Sequence, residues 1–190
     1  MPLINQHHII DGIDTATVSI HEQKISHIQF ADFPQANELL VDYRPLEFSE
    51  KHPPKPQLVP AELVALSQQK GDKKLGILLS GASDYQILAQ DLASVLPVID
   101  VIVIDFNGFR DGRGYSLGRE IAQHPQYRAD IILRASGDII PDSLQLLAEV
   151  GFSQFDIQDA DFNESWFGYF DSVEHRYTGR SAKQLPMFAQ

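Results

Sequence analysis

The stretch Val98-Ile-Asp-Val-Ile-Val-Ile-Asp105, followed by Phe106 to Arg110 and then Asp111-Gly-Arg-Gly-Tyr-Ser-Leu-Gly-Arg119, decides the fold. Its first part is β-branched and apolar on both faces except at Asp100, the pattern of a central parallel strand covered on both sides. A glycine-rich loop follows, and then a helix from Tyr115 to about Gln123 with Leu117 and Ile121 on its inner face. Strand, loop and helix in that order are one half of a βαβ unit.

The same alternation extends in both directions. Pro60 to Lys70 reads as a helix ended by Gly71, with Pro60 suited to the first turn. Leu75 to Leu79 is a short strand. Ser83-Asp-Tyr-Gln86 has capping-box form, with Leu88, Leu92 and Val95 then at helical spacing. Downstream, Asp130 to Arg134 is a strand, and Pro141 opens a helix with Leu144, Leu147 and Ala148 inward and Gly151 as a left-handed cap. Gln154 to Ile157 is a further strand, and Glu164 to His175 an aromatic-rich last helix. The fold class is therefore α/β, a parallel sheet with right-handed crossovers. An open doubly wound sheet and a partial β/α barrel both fit. Either places the loops Ser80 to Ser83, Phe106 to Gly114, Ala135 to Asp138 and Gln158 to Asn163 along one edge, where ligands bind.

Residues 1–43 have a different texture and read as a small N-terminal β-rich appendage. Val18 and Ile20, then Ile28 and Phe30, alternate with polar residues around His21 to Lys24, as in a hairpin or meander. Residues 44–60 hold Pro45, Pro53, Pro54, Pro56 and Pro60 and read as a linker. The α/β domain then spans 61–180, and 181–190 is a flexible tail.

Composition narrows the function classes. Fifteen Lys+Arg against 26 Asp+Glu give a net charge of −11, which argues against a nucleic-acid surface. Cysteine is absent, which excludes disulfides, thiolate nucleophiles and Cys-ligated metals. Met1 to Ile10 lacks signal-peptide form, and Val95 to Ile104 is too short and too interrupted to span a bilayer. A cytoplasmic protein without membrane contact is expected. The seven histidines show no ligand spacing, so no metal site is expected. Trp166, Phe167, Tyr169 and Phe170, with Phe162 nearby, read as core or as a subunit interface of a homo-oligomer.

Two loops carry the candidate site. In the first, Gly112 and Gly114 permit positive φ and close backbone approach at a helix start. Arg113 and Arg119 can grip an anion, Tyr115 and Ser116 add neutral donors, and Asp111 can position an arginine. The spacing Gly112-x-Gly114-x-x-x-Gly118 is not a dinucleotide fingerprint, and no P-loop lysine follows. In the second, Arg134-Ala-Ser-Gly-Asp138 ends a strand, and Asp138 and Asp142 stand four apart, able to share a helical turn and hold a proton or a metal-bound water. The alternative for both loops is an internal ion-pair network. No motif identifies a cofactor or a catalytic group.

Together, Phe109-x-Asp111-Gly-Arg-Gly-Tyr-Ser116-x-x-Arg119, Arg134-Ala-x-Gly-Asp138 and Gly151-Phe152-x-x-Phe155 resemble a bacterial family of unknown function. That family carries the label of a predicted oxidoreductase of sulfite reduction, given because its genes stand beside those of assimilatory sulfite reductase. The resemblance covers roughly Leu75 to Arg180, with a loose N-terminal match at Ile9-Ile10-Asp11-Gly12. Departures are Asp142-Ser143 where Asp-Gln is usual, Ala122 in place of an arginine, and Glu149-Val150 in place of Arg-Cys. The segment from Tyr127 to Arg134 is also slightly longer. The resemblance implies an accessory role in sulfur assimilation, with sulfite reductase or a related protein as partner and a small anion as ligand. Two other readings remain open: a non-catalytic interaction or dimerisation module, and a β/α enzyme acting on a phosphorylated metabolite.

Overall fold

The computed structural model describes residues 2–20, 24–45, 58–108, 112–157 and 162–172. Eight strands form one sheet: β1 (Leu3–Ile4), β2 (Ile9–Ile10), β3 (Thr15–Ser19), β4 (Glu38–Asp42), β5 (Lys74–Ser80), β6 (Val101–Phe106), β7 (Ile132–Gly137) and β8 (Gln154–Asp156). The helices α1 (Pro60–Ser67), α2 (Tyr85–Val95), α3 (Arg113–Ala122) and α4 (Leu144–Val150) fill the crossovers after β4, β5, β6 and β7. The chain is α/β, and most of its sheet is parallel.

The strand order β2-β1-β8-β7-β6-β5-β4-β3 separates the two architectures left open above. From β3 to β8 the parallel strands lie side by side in chain order. A doubly wound sheet needs a point where the order reverses, so that right-handed crossovers fall on both faces. With no reversal, every crossover falls on the same face and the sheet curls into a half-barrel. The strands of residues 1–43 flank it at both ends: β1 and β2 lie beyond β8, antiparallel, and β3 and β4 lie beyond β5.

The two faces differ accordingly. Leu39, Val41, Leu75, Ile77, Leu79, Ile102, Ile104, Leu133, Ala135 and Phe155 point outward and join one core with Leu63, Leu92, Leu117, Ile121, Leu144 and Leu147 of the helices. The inner face holds a small apolar patch of Leu40, Leu78, Val101 and Val103. The two-sided apolarity of Val101 to Ile104 thus reflects helices on one side and this patch on the other.

Three local expectations are corrected. Ile28 and Phe30 are buried but belong to no strand. Ile25–His27 and Phe30–Asp32 are single 3-10 turns, and they carry the chain from β3 to a parallel β4, so no hairpin forms. A register of Thr15 opposite Glu38 and Ser19 opposite Asp42 requires this crossover. The last helix is a 3-10 segment over Glu164–Asp171, capped by Asn163, whose side chain accepts from Ser165 N. The start of α2 is capped by Asp84, not Ser83, because the Asp84 carboxylate accepts from Gln86 N at 3.0 Å. Gly151 does take positive φ, +126°, after α4. Most of the proline-rich stretch, the loop residues 158–161 and the tail 181–190 lie outside the described residues.

Candidate functional site

Parallel pairing puts the C-terminal ends of β5, β6, β7 and β8 along one edge, but the candidate side chains divide into separate groups. Asp111 lies outside the described residues. Arg113 and Ser116, both exposed, stand in the first turn of α3 and line a cleft of about 370 Å³ with Ala82, Ser83, Asp84, Tyr85, Leu117 and Glu120. Arg119 is exposed in the last turn of the same helix. Tyr115 is half-buried, edge-on to Phe106 with ring centroids 5.3 Å apart. Burial raises its phenol pKa, and a hydrogen bond with the Ser143 side chain opposes this only in part.

Gly114 and Gly118 serve packing, not backbone freedom, while a Cβ on Gly112 would meet nothing within 4 Å. Neither Gly112 nor Gly114 has positive φ, contrary to the sequence reading. A Cβ on Gly114 would strike the Phe106 ring, and one on Gly118 would come within 2.6 Å of the Phe152 ring. Four residues apart, these two glycines let one face of α3 settle onto aromatic rings. The Arg-Gly-rich signature is in this respect a close helix–sheet contact.

Arg134 does not reach the loop edge. Strand β7 continues to Gly137 because Ala135, Ser136 and Gly137 pair with Ile104, Asp105 and Phe106. Arg134 is thereby held mid-strand on the inner face, 4% exposed. Its Nη1 and Nη2 donate to Glu38 Oε1 and Oε2 at 2.6 and 2.8 Å, and Nε and Nη2 both donate to Gln154 Oε1. Thr15 Oγ1 completes the set by donating to Glu38 Oε1. Asp138 is exposed and donates its backbone N–H to Phe106 O. Ile140 is extended and a 3-10 turn runs from Pro141 to Ser143, so Asp138 and Asp142 do not share a helical turn.

The inner face carries a group that the sequence reading missed. Ser80, Asp105, Ser136 and Asp156 form one cross-strand row, by the pairings Ser80 with Asp105 and Asp105 with Ser136, and by continuation of the Arg134–Gln154 register. This row stands at the C-terminal ends of β5 to β8. Arg44, two residues past β4, grips Asp42 through Nε and Nη2 and reaches Asp105 Oδ2 with Nη1 at 2.9 Å. These bonds, the Asp42 one foremost, hold its guanidinium above the ordinary arginine pKa. Ser136 Oγ donates to Asp156 Oδ2 at 3.0 Å. Arg44, Asp105, Ser136 and Asp156, together with Thr15, Thr17, Leu40, Leu78, Val103 and Arg134, line a cleft of about 290 Å³. The available signal was an aspartate at or next to the end of three strands, Asp42, Asp105 and Asp156.

Among the described residues, no group of three or more His, Cys, Asp or Glu side chains is placed to hold a metal ion, and no helix is long and apolar enough to cross a membrane.

These features define a singly wound α/β half-barrel, apolar outside under its helices and polar along the inner strand ends. The chain belongs to the family described as "Bacterial protein of unknown function (DUF934)", whose model matches residues 76–188, from within β5 onward. No curated protein and no solved structure matches it.

Proposed function

We propose that this protein is an accessory factor of assimilatory sulfite reduction that binds a small oxyanion or anionic metabolite beside the first turn of α3. The pathway rests on the family resemblance; the ligand class rests on the convergence of Arg113, Ser116 and Ser83 on one cleft. A guanidinium, two hydroxyls and the N-terminal N–H groups of a ten-residue helix offer charge and directed donors to an anion. Asp84 and Glu120 share the cleft, which favours an anion that also donates a hydrogen bond, such as bisulfite or hydrogenphosphate. Arg134 is left out of this site, because its charge is satisfied by Glu38. Calorimetric titration with sulfite, sulfate and phosphate tests the reading on wild type, Arg113→Ala and Ser116→Ala. Binding in wild type that weakens about tenfold in Arg113→Ala is expected. Heat-silent titrations with all three anions sink it.

A second reading draws on the Arg134–Glu38–Gln154 closure: part of the Arg/Asp constellation is scaffolding, and the protein acts by docking on a partner such as sulfite reductase. Co-purification with the reductase, unchanged in Arg113→Ala, would favour docking over ligand binding.

A further inference from the structure

We propose that the inner-face cleft is a second, separate binding site, and that it takes a small molecule bearing a primary ammonium group, held by Asp105 and Asp156. The first argument is position. The Ser80–Asp105–Ser136–Asp156 row closes the C-terminal ends of adjacent parallel strands on the concave face of a half-barrel, where β/α folds hold their ligands. The apolar patch of Leu40, Leu78 and Val103 forms the floor beneath it. At about 290 Å³ the cleft suits a small metabolite better than a drug-sized one.

The second argument is the hydrogen-bond balance. Arg44 spends donors on Asp42 and on Asp105 Oδ2, and Arg134 is matched by Glu38. Asp105 is 9% exposed, and its Oδ1 accepts no hydrogen bond among the described residues. Asp156 accepts from the neutral Ser136 hydroxyl, and no cation among the described residues pairs with it. Asp105 Oδ1 is not among the buried side-chain atoms left without a partner, so it stays open to the cleft and to a donor that a ligand brings. Around the cleft the carboxylates of Glu38, Asp42, Asp105 and Asp156 thus outnumber the guanidinium groups of Arg44 and Arg134. An ammonium group supplies three donors and a positive charge, whereas an anion would meet Asp156, with which no cation among the described residues pairs, and Asp105, whose charge Arg44 shares with Asp42. The ligand chemistry is opposite to that proposed for the Arg113 cleft, and each site can fail without the other.

Titration of the full chain with 1,4-diaminobutane, followed by ¹H–¹⁵N spectra and calorimetry, tests the assignment. Saturable shifts at Ser136, Gly137 and Asp156 are expected, with affinity reduced about tenfold or more in Asp156→Asn. Asp105→Asn also unmakes the Arg44 contact and is read only beside a thermal melt, while Asp156→Asn leaves the Arg44 and Arg134 ion pairs of the inner face in place. Sulfite should leave these amides unmoved. The absence of saturable shifts, an affinity unchanged in Asp156→Asn, or equal binding of uncharged myo-inositol would each overturn the proposal.

Discussion

Arg134 on β7 and Glu38 on β4 form a bidentate ion pair across 96 residues of sequence, with Nη1–Oε1 at 2.6 Å and side chains 5% and 1% exposed. Two strands stand between them. In a flat sheet the two backbones would stand roughly 14 Å apart across the strands and, because Arg134 is level with Asp42 in the register, about 13 Å apart along them. The pair closes because the sheet curls, and it acts as a tie across the concave face. Removing one partner strands a buried charge, so Arg134→Ala should lower stability by about 3 to 5 kcal/mol. Replacing both, as Arg134→Met with Glu38→Leu, should restore most of that loss. Urea unfolding of the three proteins checks this, and a double variant as unstable as Arg134→Ala would refute the tie.

Arg44 provides the contrast. Its contacts with Asp42 and Asp105, at 2.8 and 2.9 Å, are only slightly longer than those of Arg134, but 40% of its side chain is exposed. Solvent screens this guanidinium, but Asp42 and Asp105 are only 13% and 12% exposed, so Arg44→Ala should cost about 1 to 3 kcal/mol, less than Arg134→Ala, in the same unfolding experiment. A loss as large as that of Arg134→Ala would mean that Arg44 is structural first.

The α3 glycines give a packing prediction. A methyl at Gly118 would stand 2.6 Å from the Phe152 ring, which is itself 1% exposed and cannot swing into solvent. Gly118→Ala should therefore destabilise by about 1 to 3 kcal/mol despite the better helix propensity of alanine. Pairing it with Phe152→Leu should recover part of the loss. If Gly118→Ala melts with or above wild type, the close approach is not a constraint.

The same residues show what could be read from the sequence. The strand–helix alternation from Pro60 onward was legible because apolar period and glycine or proline punctuation agree there. Gly151 was legible because a glycine directly after an apolar helical run is the common positive-φ cap. The half-barrel was not, since sequence patterns place elements but do not order strands, and strand order alone separates it from a doubly wound sheet. Arg134 looked like a loop residue because Ala-Ser-Gly resembles a strand end, while cross-strand pairing with β6 carries β7 three residues further. The inner-face row stayed hidden because its members are single residues on four strands, brought into line only by register.

Tyr43 links burial to pH. Its ring is 1% exposed beside the core, and its hydroxyl makes no well-formed hydrogen bond among the described residues. Burial, with Glu62 and Asp91 adding repulsion, drives the phenol pKa far above its ordinary value, and the Val59 backbone offsets only part of this. In the unfolded chain the same phenol ionises near pH ~10. Below that pH both states keep the proton and stability is unaffected. Above it the unfolded chain loses the proton first, so stability falls as pH rises, by up to about 1.4 kcal/mol per pH unit for one group. Burial raises the Tyr85, Tyr115 and Tyr127 pKa values in the same direction, so wild type should lose stability steeply above pH ~10. Tyr43→Phe removes one titrating group and an unsatisfied polar atom together. It should match or exceed wild-type stability at pH 7, by up to about 1 kcal/mol, and lose less between about pH 10 and 11. Thermal melts across that range decide it. A variant weakened at pH 7, with the alkaline slope unchanged, would show that the Tyr43 hydroxyl is bonded and that the alkaline loss has another source.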